Sequence, residues 1–372
     1  MKLTFPHMGN TYISLKAFLD DLGIDYCLPP VNSRASLELG MANSPESMCL
    51  PFKKVLGDLI QGLNEGADTV FFGSSRGQCR FSQYGDLLED ILLSMGYRFN
   101  YINLNFGNIT YGDVREKLGP VLNGAGKARV FSAVSKAVST MFEVDSLYAH
   151  ARRVRCREVC RGETDRAMFI FERKAKAAHG FRQTRSAVRS AENALSKIRT
   201  DSRLHPVKIG LVGEIFILSD PFTNLETEKK LGSMGAMVFN SMSTSEWMKK
   251  HFVRALLPIK PENRAVKAAQ KYMHTDYIGG HGIYTIGNAE LMSHGKMDGI
   301  IQLYPFTCMP ETTAKSVLGE IQYRSGTPIM TLILDGTTAE AGYVTRLEAF
   351  VDMLKMERES QQPFKHTPKA AL

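Results

Sequence analysis

Three of the chain's six cysteines stand in settings that favour a reactive or metal-bound thiolate. Cys79 falls just after an apolar run, in Gly73-Ser74-Ser75-Arg76-Gly77-Gln78-Cys79-Arg80. Cys308 follows another, in Pro305-Phe306-Thr307-Cys308-Met309-Pro310-Glu311. Cys49 sits in Ser47-Met48-Cys49-Leu50-Pro51. All three precede a predicted helix, and Pro51 and Pro310 suit a first helical turn, where the missing N–H costs nothing. A helix N-terminus carries about half a positive charge and favours a thiolate or a thiolate-ligated cluster. Soft thiolates suit iron–sulfur clusters or zinc. A cubane ordinarily takes four cysteines, so three would leave one metal corner open. The separations, about 30 and then about 229 residues, are unlike those of compact zinc modules.

The remaining cysteines read as structural. Cys156 and Cys160 are one helical turn apart with no third thiol nearby, and Cys27 lies within a predicted strand. Two other groups are catalytic candidates. His281 lies in the backbone-exposed Gly279-Gly280-His281-Gly282, and Glu214 is placed in a strand. Asp335, at a predicted strand end, and Glu340, Arg346 and Glu348, in a predicted loop entering the last helix, read as capping and ion-pairing groups. No phosphate-binding glycine loop is recognisable.

The elements that must position these residues come in two segments of one rhythm. In the first, strands are predicted at Lys2–Gly9, Asp25–Pro30, Thr69–Ser74 and Arg98–Asn105, and helices at Tyr12–Leu22, Pro51–Leu63 and Ser82–Met95. In the second, strands are predicted at Lys208–Ile217, Ala236–Asn240, Gly299–Tyr304 and Ile329–Asp335. Its helices are Leu225–Met234, Ala265–Tyr272, Ile286–Ser293, Pro310–Tyr323 and Leu347–Arg358. Strands alternating with helices predict parallel sheets covered on both faces. The expected class is α/β: a Rossmann-like lobe over 1–110, a mostly helical connection over 111–205, a second Rossmann-like lobe over 206–360, and a flexible tail over 361–372. In open parallel sheets ligands bind beyond the carboxyl ends of the strands. Two cysteines from one lobe and one from the other therefore point to a site in the interlobe cleft.

At 372 residues the chain has room for more than one domain, with 44% hydrophobic and 23% charged residues, as in globular proteins. Its net charge of +8 is concentrated between Ala151 and Arg203, which reads as a solvated helical face; no nucleic-acid-binding motif accompanies it. The opening residues read as a buried strand rather than a leader, and no apolar run approaches the roughly 18 residues of a membrane span. A cytoplasmic, reducing location is expected, with free or metal-bound thiols rather than disulfides. A homodimer, the commonest closed assembly, is the expected oligomer.

Longer motifs combine into a resemblance. Phe5-Pro6-His7-Met8-Gly9, Cys49-Leu50-Pro51-Phe52-Lys53, Gly77-Gln78-Cys79-Arg80-Phe81, Val212-Gly213-Glu214-Ile215, Gly280-His281-Gly282, the Cys308 segment and Gly342-Tyr343-Val344-Thr345-Arg346-Leu347-Glu348-Ala349-Phe350 carry it. Together they resemble the acyl-CoA dehydratase activase-related proteins of the 2-hydroxyacyl-CoA dehydratase and benzoyl-CoA reductase component superfamily, relatives of the double-cubane cluster proteins. The resemblance implies an oxygen-sensitive cluster between two lobes, with the family's cysteines falling on Cys49, Cys79 and Cys308. It also implies a separate ATP-dependent activase that delivers low-potential electrons. Relatives often carry Cys-Gly-Pro-Cys-Arg where this chain has Arg76-Gly77-Gln78-Cys79-Arg80. That departure favours a single [4Fe-4S] cluster with three ligands and one open iron over a double cubane. A reductase or dehydratase-like component acting on a small molecule is the expected function; a non-catalytic electron-transfer, cluster-carrying or maturation partner is the alternative.

Overall fold

The structure is a computed structural model that describes residues 1–29, 32–74, 79–105, 111–122, 124–243, 245, 263–275, 278–294 and 297–360. Arg76 and the tail 361–372 lie outside the described residues.

The first lobe opens with β1 (Leu3–Thr4), α1 (Thr11–Leu22), α2 (Arg34–Ala42) and α3 (Leu50–Asn64). It continues through β2 (Thr69–Ser74), a 3-10 turn at Arg80–Gln83, α4 (Tyr84–Ser94) and β3 (Asn100–Asn105). The sheet runs β1-β2-β3, all parallel, with Thr69 opposite Asn100 and Ser74 opposite Asn105. The strand expected at Asp25–Pro30 is reduced to one bridge, Tyr26 to Leu3, on the free side of β1. Leu3 N donates to Asp25 O and Cys27 N to Leu3 O, and the ladder stops there because Pro29 has no N–H to continue it. β1 is likewise shorter than the expected Lys2–Gly9.

Helices follow at α5 (Tyr111–Leu118), α6 (Lys127–Arg155), α7 (Glu163–Ala177) and α8 (Gly180–Ser196). Apolar residues at helical spacing on α6, α7 and α8 pack around Ile13 of α1. α6 reaches both sheets' neighbourhoods: Asp145 accepts from Asn10 Nδ2 and from Ser245 N, each at 3.0 Å, and Arg152 pairs with Glu228 at 3.0 Å.

The second lobe contains β4 (Val207–Gly213), α9 (Ile215–Ser219), α10 (Thr227–Ser233) and β5 (Ala236–Asn240). α11 (Arg264–Ala269), α12 (Gly282–Ser293), β6 (Gly299–Pro305), α13 (Met309–Ser325), β7 (Ile329–Leu334) and α14 (Glu340–Ser360) complete it. Its parallel sheet runs β5-β4-β6-β7. Every residue of β6 is buried, as a central parallel strand covered on both faces requires. The chain is thus α/β with two Rossmann-like lobes. With Tyr26 standing in for a missing strand, both lobes have the same order, second-first-third-fourth. Among the described residues no helix is long and apolar enough to cross a membrane.

Two expectations need correction. β4 ends at Gly213, so Glu214 is not in a strand; it caps α9, its carboxylate accepting from Ile217 N at 2.9 Å. Residues Glu340 to Glu348 form no loop, because α14 already begins at Glu340, and burial of Tyr343 and Leu347 in the core extends the helix backward.

The lobes share a packed junction. Leu37 and Leu50 enter the second lobe's core, while Phe216 enters the first lobe's. Gly9 makes the closest approach: its φ is +54°, and a Cβ there would stand 2.0 Å from Ser219 O. Gly9→Ala is expected to destabilise the chain by about 2–4 kcal/mol, strain plus overpacking. Gly23, with φ +71° and open space around it, should cost only the strain, about 1–2 kcal/mol. Urea unfolding of both variants checks this; equal costs would remove the junction argument.

Buried polar groups line the same junction. Lys54 and Asp58, one turn apart on α3, pair with both side chains at 0% exposure. Asp58 also accepts His7 N at 3.0 Å. Asp220, across the junction, accepts Thr223 N at 3.0 Å, a backbone N–H from Gly9, and Asn32 Nδ2. His7 is 3% exposed, and its Nε2 lies 2.5 Å from Pro29 O. A carbonyl only accepts, so Nε2 carries the proton and Nδ1 is bare in the neutral ring. Burial lowers the His7 pKa to about 4. The unfolded imidazole takes up a proton below about pH 6.5 and the folded one only near 4. His7's contribution is therefore present above pH 6.5 and lost between 6.5 and 4. Relative to His7→Gln, wild type should lose about 3 kcal/mol across that window. Urea midpoints at pH 7.5 and 4 give the difference, and parallel pH profiles would contradict it.

Candidate functional site

Ligand sites in such sheets form where the strand order reverses, beyond the carboxyl ends of the two strands flanking the reversal. In the second lobe those strands are β4 and β6, and Glu214 and Cys308 follow them directly. Glu214 N donates to Leu303 O at 3.0 Å, which ties the two exits together. In the first lobe the flanking strands are β1 and β2, followed by the His7–Gly9 segment and, after residues 75–78, by Cys79. Cys79 and Cys308 are thus counterparts, each after the third strand of its lobe. Cys49 caps α3, the helix that leads into that strand. Its counterpart in the second lobe is His281, which caps α12.

These segments converge. A Cβ on Gly280 would stand 3.7 Å from Cys79 Cβ and 3.2 Å from Pro310 Cγ, so the His281 loop lies against both cysteine loops. Arg80 Nη1 donates to Ser47 O at 3.0 Å, and Nη2 to Thr307 O and Oγ1 at 3.1 Å each. The Cys49 thiol contacts Tyr84 Oη. Cys308 is buried at 9% exposure; Cys49 and Cys79 are partly buried. Tyr304, Thr312 and Glu311 surround Cys308.

The three thiols share one construction. Each caps a helical turn, and a backbone N–H of that turn (Phe52, Phe81 or Glu311) favours its thiolate. Burial outweighs that help. It raises the Cys49 pKa to about 11, with Glu214 and Cys79 adding to the rise. Cys79 is raised by burial, then by Glu214 and Glu311. Cys308 is raised furthest, by burial, then Glu311 and Glu214. Glu214 is thus among the charges that raise all three thiols.

The carboxyls respond in kind. Burial raises Glu214 to about 7 against the pull of the Ile217 and Phe216 N–H groups. Glu311 rises to about 7 for the same reason, opposed by Gln302 and Thr285. Gln302 Nε2 donates to Glu311 Oε2 at 3.0 Å, Thr285 Oγ1 lies 2.9 Å from Oε1, and Thr285 Oγ1 is 3.3 Å from Gly213 O. The Thr285 hydroxyl, with one proton to donate, gives it to Glu311 Oε1, and Gly213 O is its longer alternative acceptor.

A site of soft donors that disfavours free thiolates suits a positively charged metal–sulfide core, which would supply the missing counter-charge. Among the described residues no three His, Cys, Asp or Glu side chains close around one point as the ligands of a single ion would. The thiolates of a cubane each hold a different iron and need not converge so tightly. Cys27, Cys156 and Cys160 lie elsewhere: Cys27 donates to Glu65 O, Cys156 to Arg153 O, and Cys160 is exposed. Glu311, Tyr84 and Arg80 were not singled out by sequence. Glu311 alone carried a readable signal, as an acidic residue three places after a helix-capping position.

No family model matches the chain, and no curated protein matches it.

Proposed function

We propose that this chain is an iron–sulfur protein whose Cys49, Cys79 and Cys308 hold one [4Fe-4S] cluster between the lobes. It would act as a reductase or dehydratase-like component, recharged with low-potential electrons by a separate ATP-dependent activase. The observation that carries the reading is the approach of the loops that carry three helix-capping cysteines: Gly280 lies against Cys79 and Pro310, and Arg80 bonds to Ser47 O and Thr307 O. When bound, the cluster supplies one-electron reduction and, at an iron without a thiolate, a Lewis acid.

The chain's own residues supply the rest. Burial raises Glu214 and Glu311 to about 7, which makes these two carboxyls the groups suited to exchange a proton near neutral pH. His281 stands at the position in its lobe that Cys49 holds in the other, and is the group suited to face the open iron or a bound small molecule. The resemblance to the dehydratase superfamily supplies the reaction class and the activase.

Anaerobic purification with iron and sulfide analysis, followed by EPR with and without an activase and ATP, tests the reading. About four irons per chain and an activase-dependent reduced signal are expected. A chain that takes up no iron on anaerobic reconstitution would refute it. A cluster that forms without turnover of any acyl-CoA would replace the enzyme with an electron carrier.

A further inference from the structure

Arg80 belongs to none of the roles above, yet it touches two of the three cysteine loops and is the neighbour of the third cysteine. Its guanidinium donates to Ser47 O, two residues before Cys49, and to both Thr307 O and Thr307 Oγ1, one residue before Cys308. Thr307 is held in an unusual backbone. The turn from Pro305 closes when Cys308 N donates to Pro305 O at 3.0 Å. Thr307 occupies its third position with φ +69°, a conformation that ordinarily selects glycine. The strain sits next to a candidate ligand, and the groups of the strained residue are the ones Arg80 grips. A planar guanidinium can hold several acceptors in fixed directions, which a lysine ammonium cannot. Arg80 is exposed, so any one of its bonds is weak. Its three bonds join segments 33 and 227 residues away from it.

We propose that Arg80 is the positioning residue of this site, a clamp that fixes the Cys49 and Cys308 loops relative to Cys79. Its importance for cluster binding rests on the function proposed above; the clamp itself is a property of the apo chain. Residues that orient metal ligands from outside typically change metal retention by about 10–100-fold.

The test uses the full chain in four forms: wild type, Arg80→Ala, Arg80→Lys, and Arg80→Ala combined with Thr307→Gly. In the apo chains, alkylation of Cys49 and Cys308 is followed residue by residue by mass spectrometry, with exposed Cys160 as the internal standard. Arg80→Ala should speed both relative to Cys160. Thr307→Gly should restore the Cys308 rate but not the Cys49 rate, because glycine relieves the turn and leaves Ser47 unheld. In reconstituted protein, iron loss to a chelator should accelerate by about tenfold and the EPR line broaden in Arg80→Ala, with Arg80→Lys between. Unchanged alkylation of both cysteines in Arg80→Ala overturns the clamp, whatever the iron content. If wild type takes up no iron, the cluster reading falls and the alkylation rates still decide the clamp.

Discussion

Cys308→Ala is expected to lower the iron bound after anaerobic reconstitution by at least about tenfold, while Cys27→Ala and Cys160→Ala leave it unchanged. The contrast follows from position. Cys308 caps α13 at the carboxyl end of β6, beside Glu214 and Glu311, in a place where burial keeps a thiol neutral unless a cation compensates it. Cys27 is as buried, yet its thiol is satisfied by Glu65 O at the C-terminal end of α3, the end opposite Cys49. In the apo chain Cys308→Ala should cost little, since a neutral buried thiol behaves as a small apolar group. Iron analysis together with apo unfolding midpoints separates lost ligation from lost folding. Iron retained by Cys308→Ala would remove this cysteine from the site.

Lys54→Met is expected to destabilise the chain by about 3–5 kcal/mol near pH 7.5. Lys54 pairs with Asp58 at zero exposure and also acts on buried Asp220 from across the junction. Methionine fills the space but leaves both carboxyls without their cation. Asp58 is already raised to about 6 by burial, with Lys54 holding it down. Without Lys54 it rises further, so the variant's deficit should shrink as pH falls and Asp58 becomes neutral. Adding Asp58→Asn should recover part of the loss, because a neutral pair avoids the unpaired charge. Urea unfolding at pH 7.5 and 5.5 measures all three chains; a loss below about 1 kcal/mol at the higher pH would mean the pair contributes no more than a surface one.

Short apolar strand runs were the most readable. Thr69–Ser74, Gly299–Pro305 and Ile329–Leu334 are short apolar runs, and each became a strand close to its expected bounds, whereas the run expected over Lys208–Ile217 became a strand only to Gly213. Helix α2 went unread. Its apolar face is short, and Gly40 looks like a breaker; in the fold a Cβ there would stand 1.7 Å from Lys53 O, so glycine lets α2 and α3 touch. The Tyr26 strand failed for the opposite reason: its apolar run exists, but its backbone finds only one partner. Glu214 looked like a strand residue because the apolar run continues through Ile215-Phe216-Ile217-Leu218; the turn between two buried elements leaves no polar punctuation.

The three cysteines could be picked out from local context alone, because a thiol just ahead of a helical run, led by proline at Cys49 and Cys308, is a local pattern. Their meeting is not local. It depends on both sheets reversing order at the strands that Cys79 and Cys308 follow, and on Leu50 and Phe216 crossing into each other's cores. The carboxyls that act on the thiols, the correspondence of His281 with Cys49, and Arg80's grip on Ser47 and Thr307 arise only there. Sequence determined which side chains could do soft-metal chemistry, since that is fixed by atom type. Tertiary structure decided their charge and company, since pKa and contact depend on neighbours brought from hundreds of residues away.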